Sequence, residues 1–178
     1  MSEDPPPEES LPVKRRNARR RLAVEVGFVI LLFIGIRLWQ QRDVVSGEAP
    51  SLSGVDVAGE PFTLTPDPDR ATLVHFWATW CGVCKTEEDN IDALVGTDYR
   101  VVTVASQSGR SDAVARYLEE HQLEFDVVMD PAGRIAHQWG VSAFPTSFVI
   151  APDGTIEYTE VGYTSEAGLR TRLWLAER

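Results

Sequence analysis

Cys81 and Cys84 are the only cysteines in the 178-residue chain, and they stand three positions apart just beyond the compact apolar run Thr72–Trp77. A bridge between them closes a loop too short to staple distant parts of a fold, so the pair points to chemistry rather than scaffolding. The run before them reads as a buried strand, and Ile91, Leu94 and Val95 after them fall at helical spacing, which puts the pair where a strand gives way to a helix. Unpaired backbone N–H groups and the macrodipole favour negative charge at such a helix start, so Cys81 should hold its proton less tightly than a free thiol and act as the nucleophile. Cys84, one helical turn inward, is placed to attack a mixed disulfide formed on Cys81. Three other readings stay open: half of a zinc site, a structural disulfide and an inert buried pair. Zinc needs two more ligands at suitable spacing, and His75, His121 and His137 are scattered along the chain.

The rest of the pattern alternates short β-rich runs with helical ones, as in an α/β domain with a largely parallel sheet. Strands are expected at Thr72–Trp77, Val101–Ser106 and Phe125–Met129, and a hairpin at Phe148–Ala151 and Ile156–Val161 around Pro152-Asp153-Gly154. Helices are expected at Ser111–Gln122, capped by Ser111 or Asp112 with Val114, Ala115 and Leu118 inward, and at Gly133–Trp139. A last helix, Ser165–Glu177, is expected to turn Leu169, Leu173 and Trp174 inward. A hydrophobic content of 43% over this length supports one core plus an appendage.

The appendage is N-terminal. Residues 1–12 are rich in Pro, Glu and Ser; Lys14, Arg15, Arg16, Arg19, Arg20 and Arg21 then precede the apolar run Leu22–Trp39, interrupted by Glu25 and Arg37. The expected organisation is a disordered basic cytoplasmic tail at 1–21, a transmembrane signal anchor at 22–39, a linker at 40–52 and the folded domain at 53–178. The uninterrupted centre, Val26–Ile36, spans a bilayer only if the flanking charges snorkel to the headgroups. A cleaved signal peptide, cut after Gly47, and a buried helix are the alternatives. Basic residues before the run place the N-terminus in the cytoplasm and the domain outside. Residues 41–178 carry 22 Asp/Glu against ten Lys/Arg, about −12 in net charge, and such a surface repels nucleic acid.

The block Phe76-Trp77-Ala78-Thr79-Trp80-Cys81-Gly82-Val83-Cys84-Lys85, the block Asp130-Pro131-Ala132-Gly133 to Trp139-Gly140-Val141, and Phe144-Pro145-Thr146 before a strand and an Asp-Gly turn occur in that order. Over roughly residues 53–178 the chain thereby resembles the thioredoxin superfamily, and within it the membrane-anchored bacterial branch of TlpA-like, ResA-like and suppressor-of-copper-sensitivity D-like oxidoreductases. The resemblance implies a thioredoxin-like α/β fold, a central mixed β-sheet flanked by helices, behind the N-terminal transmembrane helix. It implies that Pro145 is a cis-proline facing the disulfide, with Phe144 offering its backbone to a substrate strand and Trp80 contributing to the contact surface. In ResA-like relatives an acid three residues after the second cysteine modulates thiol ionisation, which falls on Glu87. Spacing alone does not choose between Glu87 and Glu88, and a solvated acidic face in Glu87-Glu88-Asp89 is equally open. His75 stands where thioredoxins carry a buried Asp; a packing histidine is the plainer reading, a proton acceptor the other. The family's kinking proline is missing, with Asp89 in its place.

The function implied is thiol-disulfide exchange with extracytoplasmic proteins, run as a reductase from a transmembrane electron donor or in copper or redox stress. No separate cofactor or metal is expected. The alternatives are a thiol reductase for cytochrome c maturation and a module holding Cu(I) on two soft thiolates.

Overall fold

The structure, a computed structural model, describes residues 21–22, 24–32, 35 and 45–178. The expected tail and anchor lie largely outside the described residues. Positions 24–32 are helical, and among the described residues no helix is long and apolar enough to cross a membrane.

Residues 45–178 form a mixed six-stranded sheet with helices against it. Its strands are β1 (Gly47–Glu48), β4 (Thr72–Trp77), β5 (Arg100–Ser106), β6 (Val127–Asp130), β7 (Thr146–Ile150) and β8 (Thr155–Val161), in the order β1-β8-β7-β4-β5-β6. A small hairpin of β2 (Ser53–Val55) and β3 (Pro61–Thr63) forms a second sheet, bridged to β6 through Asp56 and Val128. The helices are α1 (Gly82–Lys85), α2 (Glu88–Asp92), α3 (Ser111–His121), α4 (Arg134–Gln138) and α5 (Glu166–Ala176). β4 runs parallel to β5, and β5 to β6, while β7 and β8 turn antiparallel, which makes the sheet mixed.

All six residues of β4 are buried because both faces of the sheet are covered. Alternation divides them: Leu73 and Trp77 enter the core that contains Cys81, Cys84, Ile91, Leu94, Leu169 and Leu173. Val74 and Phe76 enter the opposite core, where Phe76, Trp139 and Phe148 pack with ring centroids 5.0 to 5.7 Å apart. Core packing on both sides therefore fixes the end of β4, and with it the position of the cysteine pair that follows.

Asp130 explains the second sequence block. Its buried carboxylate accepts hydrogen bonds from Ser106 Oγ (2.8 Å) and from the first N–H groups of α4, those of Ile135 (3.2 Å) and Ala136 (3.0 Å). Gly133 enters α4 with a φ of 69°, a left-handed conformation that calls for glycine, and the Gln107 side chain lies close over it.

Several expectations need correction. The linker assigned to 40–52 is part of the fold from Gly47 onward, since β1 pairs with β8 and Leu52 is fully buried. Helix α3 is preceded by Arg110, which makes no side-chain cap; Tyr117 is buried beside Val114, and Ala115 is exposed. The inward stripe follows 114 and 117, and Leu118 is only partly covered. In α5 Leu169, Leu173 and Ala176 face inward, whereas Trp174 is exposed with Arg178 over its ring. A tryptophan next to a buried Leu173 falls off the stripe by one helical step of 100°.

Candidate active site

Cys81 follows the tight turn after β4, where its N–H donates to the Ala78 carbonyl at 3.0 Å, and it is the N-cap of α1. Its Sγ accepts from the Cys84 N–H at 3.2 Å. The two sulfurs are joined as a disulfide, with Cα atoms 5.3 Å apart. Both residues are buried, while Trp80 and Val83, next to them in sequence, are exposed. Among the described residues no cluster of three or more His, Cys, Asp or Glu could hold a metal.

The Phe144–Pro145 peptide bond is cis, as the resemblance implied, and Phe144 packs against the core that contains both cysteines. Pro145 is locked to the sheet edge by its carbonyl, which accepts from Gly162 N at 2.8 Å. Phe144 packs edge-on against Trp80, with ring centroids 5.8 Å apart. The other end of Trp80 is fixed by its indole N–H, which donates to the Gln107 carbonyl at 3.0 Å. Gln107 adopts left-handed φ of 52° to present that carbonyl, and Ser108 Oγ accepts from the Thr79 N–H. Trp80 is thus exposed yet held at both ends.

The two acids separate sharply. Without a proline, the helical path still breaks between Lys85 and Glu88, where Thr86 Oγ1 donates to the Val83 carbonyl at 2.7 Å. At this break Glu87 turns its side chain inward. It is fully buried, Oε1 accepts from Thr164 N at 3.1 Å, and Oε2 has no hydrogen-bond partner among the described residues. Burial disfavours the carboxylate and pushes Glu87 up to about 7, against the smaller downward pull of the Thr164 N–H. Glu88 points the other way and bonds Tyr117 Oη and His121 Nδ1 on α3, so it ties two helices together.

His75 lies buried in β4, with Nδ1 2.9 Å from Ser147 Oγ on β7. Burial holds it down at about 3, so it is a neutral imidazole at physiological pH. Because its folded value lies below the unfolded one, the stability tied to it is present above about 6.5 and is lost as pH falls through that value toward 3. The structure thus pairs Cys81 with Cys84 next to Trp80, sets Phe144 against Trp80 and against the core that holds both cysteines, and buries Glu87 three residues after Cys84. Gln107, Ser108 and Thr164 were missed by sequence reasoning. The first two follow the expected strand Val101–Ser106 and lie outside the three motif blocks, and Thr164, 77 positions from Glu87, leaves no local signal.

A cystine at a helix start, together with a cis-proline leading into a strand of a mixed thioredoxin-like sheet, defines the class: this is a thiol-disulfide oxidoreductase of the thioredoxin-like kind. The chain belongs to the AhpC/TSA family, which it matches over residues 45–159. It is 36% identical to a thioredoxin-like protein of Haemophilus influenzae over 138 residues, 77% of this chain and 82% of the relative. It is 29% identical to the thiol-disulfide oxidoreductase ResA of Bacillus thuringiensis subsp. konkukian over 134 residues, 74% of this chain and 76% of the relative. Among solved structures, a thioredoxin-family thiol:disulfide interchange protein from Chlorobium tepidum superposes with a TM-score of 0.62. That pair is 28% identical, and the match covers 75% of this chain and 98% of the other.

Proposed function

We propose that this oxidoreductase reduces disulfides of extracytoplasmic proteins, with Cys81 as the attacking thiol and Cys84 as the resolving one. The observation that carries the assignment is the asymmetry at the N-cap: Cys81 Sγ accepts the Cys84 N–H, while Cys84 sits inside the helix as a donor to it. In the reduced form that N–H would favour a thiolate on Cys81. The thiolate attacks a substrate disulfide, one substrate thiolate leaves, and Cys84 then displaces the second, leaving the Cys81–Cys84 cystine and a substrate dithiol. Glu87, three positions after Cys84, takes the Cys84 proton in the second step. Trp80, Phe144 and Pro145 receive the partner chain. With the substrate outside and reducing equivalents inside the cell, a transmembrane electron donor is required to regenerate the dithiol.

Selective alkylation tests the thiol roles. In the reduced protein at pH 6, iodoacetamide should modify Cys81 at least about tenfold faster than Cys84, read by peptide mass mapping. Equal rates at the two thiols would remove the basis for the assignment.

The basic cluster and the apolar run Leu22–Trp39 support a single-pass anchor with the domain on the outer side of a bacterial plasma membrane. Topology reporters fused after Gln40 and after Arg178 should both report the outer face. A soluble mature form starting near Glu48 would instead mean a cleaved signal.

A further inference from the structure

Beside the cystine a groove of about 760 Å³ runs from Trp80 and Phe144 over Gln107 to α4, where Arg134 and His137 line it. No carboxylate is among its lining residues, although Asp and Glu outnumber Lys and Arg by 22 to ten over residues 41–178. Among the described arginines of the domain, Arg134 and Arg116, the latter on α3 and not part of the groove lining, differ from the others in their commitments. Arg70, Arg110, Arg170 and Arg172 each pair with a carboxylate. Arg100 donates to the Thr65 carbonyl and Arg178 lies over Trp174. Arg134 is exposed, and among the described residues it has neither a hydrogen bond nor an ion pair.

We infer that this groove seats the stretch of partner chain flanking the reactive cysteine, and that Arg134 selects an acidic side chain there. The inference rests on the thiol-exchange reading above and adds the chemistry of the substrate. A peptide whose cysteine reaches Cys81 must pass the Trp80–Phe144 wall, and these rings form one side of the groove. An acidic residue on that peptide is repelled by a domain of net charge about −12 everywhere except beside an unpaired cation. The same field would draw a basic peptide to many places on the surface, without register. Arg134 therefore sets position as well as preference, through a planar guanidinium suited to a carboxylate. Gln107 and Gly133 line the groove, with the Gln107 side chain lying over Gly133.

The test uses the pre-reduced full chain in single-turnover reactions with disulfide-linked peptide dimers that differ only in carrying glutamate or lysine near the cysteine. At low ionic strength the wild type should reduce the glutamate dimer about tenfold faster than the lysine dimer, a ratio that falls as salt screens the contact. Arg134→Gln should bring the ratio to about one, and Arg134→Lys should restore part of it. A small uncharged disulfide, too short to reach the groove, should react equally with all three proteins. Equal rates with the two dimers in the wild type, a preference for lysine, or a glutamate preference that survives Arg134→Gln would each overturn the groove assignment while the small disulfide still reacts. If the wild type reduces neither the dimers nor the small disulfide, the exchange reading itself fails.

Discussion

Replacing Cys84 with serine should halt turnover and leave substrate proteins covalently held on Cys81. The expectation follows from how the two thiols divide the work. Cys81 keeps its place after the turn at Ala78, and the backbone N–H of residue 84 still points at its sulfur, so the first attack survives. The serine hydroxyl cannot displace the second sulfur, and the mixed disulfide accumulates. The receiving edge, Trp80 with Phe144 and Pro145, is untouched by the substitution. Insulin reduction by Cys84→Ser should therefore drop by at least about a thousandfold. Nonreducing gels of envelope extracts should show discrete adducts that vanish with reductant, and none with the double variant lacking both thiols. A protein that only held Cu(I) on the two thiolates behaves differently: either single substitution would weaken metal retention equally, and no protein adduct would form. That outcome, in cells with an intact electron donor, would falsify the oxidoreductase roles given to the two cysteines.

The thiol pair was legible because it is carried by a short contiguous motif whose geometry is local, a strand, a turn and a helix start, whereas the cis bond at Pro145 was implied only by the resemblance, since an X-Pro bond before a strand admits either isomer. The major strands were legible for a related reason. β4 and β5 are buried on both faces and read as continuous apolar runs. β1, β2 and β3 are two or three residues long, too short to establish any period, so β1 fell within the expected linker and β2 and β3 had no expected element. Ala115 and Trp174 were placed inward and Tyr117 was overlooked because a helical stripe read from sequence carries an uncertainty of one residue, and amphipathic side chains such as Tyr and Trp suit either side of its border. The choice between Glu87 and Glu88 lay beyond local reasoning. Regular helical spacing offers both acids to the same broad face, and it is the break at Thr86 that turns one inward to Thr164 and the other outward to Tyr117 and His121.

Glu87→Gln should make the protein more stable at pH 8 and at the same time slow the resolving step by about a hundredfold, a combination that a merely structural glutamate would not produce. The stability arm follows from burial. The folded carboxyl sits at about 7 against 4.5 for an ordinary glutamate. A group raised in the folded state contributes stability that is fully present below the unfolded value and is lost as pH rises through the folded one. The loss therefore runs between pH 4.5 and 7, and the shift corresponds to an upper bound of about 3 kcal/mol. Glutamine keeps an oxygen for the Thr164 N–H and removes the titration, but it adds an amide donor that needs a partner, so a net gain of roughly 1–2 kcal/mol at pH 8 is expected. At pH 4 the gain should disappear. The kinetic arm follows from the same number: an acid near 7 is matched to accept a thiol proton at neutral pH and return it, and an amide does neither. In single-turnover experiments the wild-type resolving rate should rise through an inflection near pH 7, and Glu87→Gln should flatten it while the first attack by Cys81 stays within about threefold. Urea unfolding of the oxidised protein at pH 4 and pH 8 supplies the stability comparison. A resolving rate that keeps its inflection after the substitution would rule Glu87 out as the proton acceptor. An equal stability change at both pH values would show that glutamine acts through packing, and that the buried carboxyl does not govern the pH dependence of the fold.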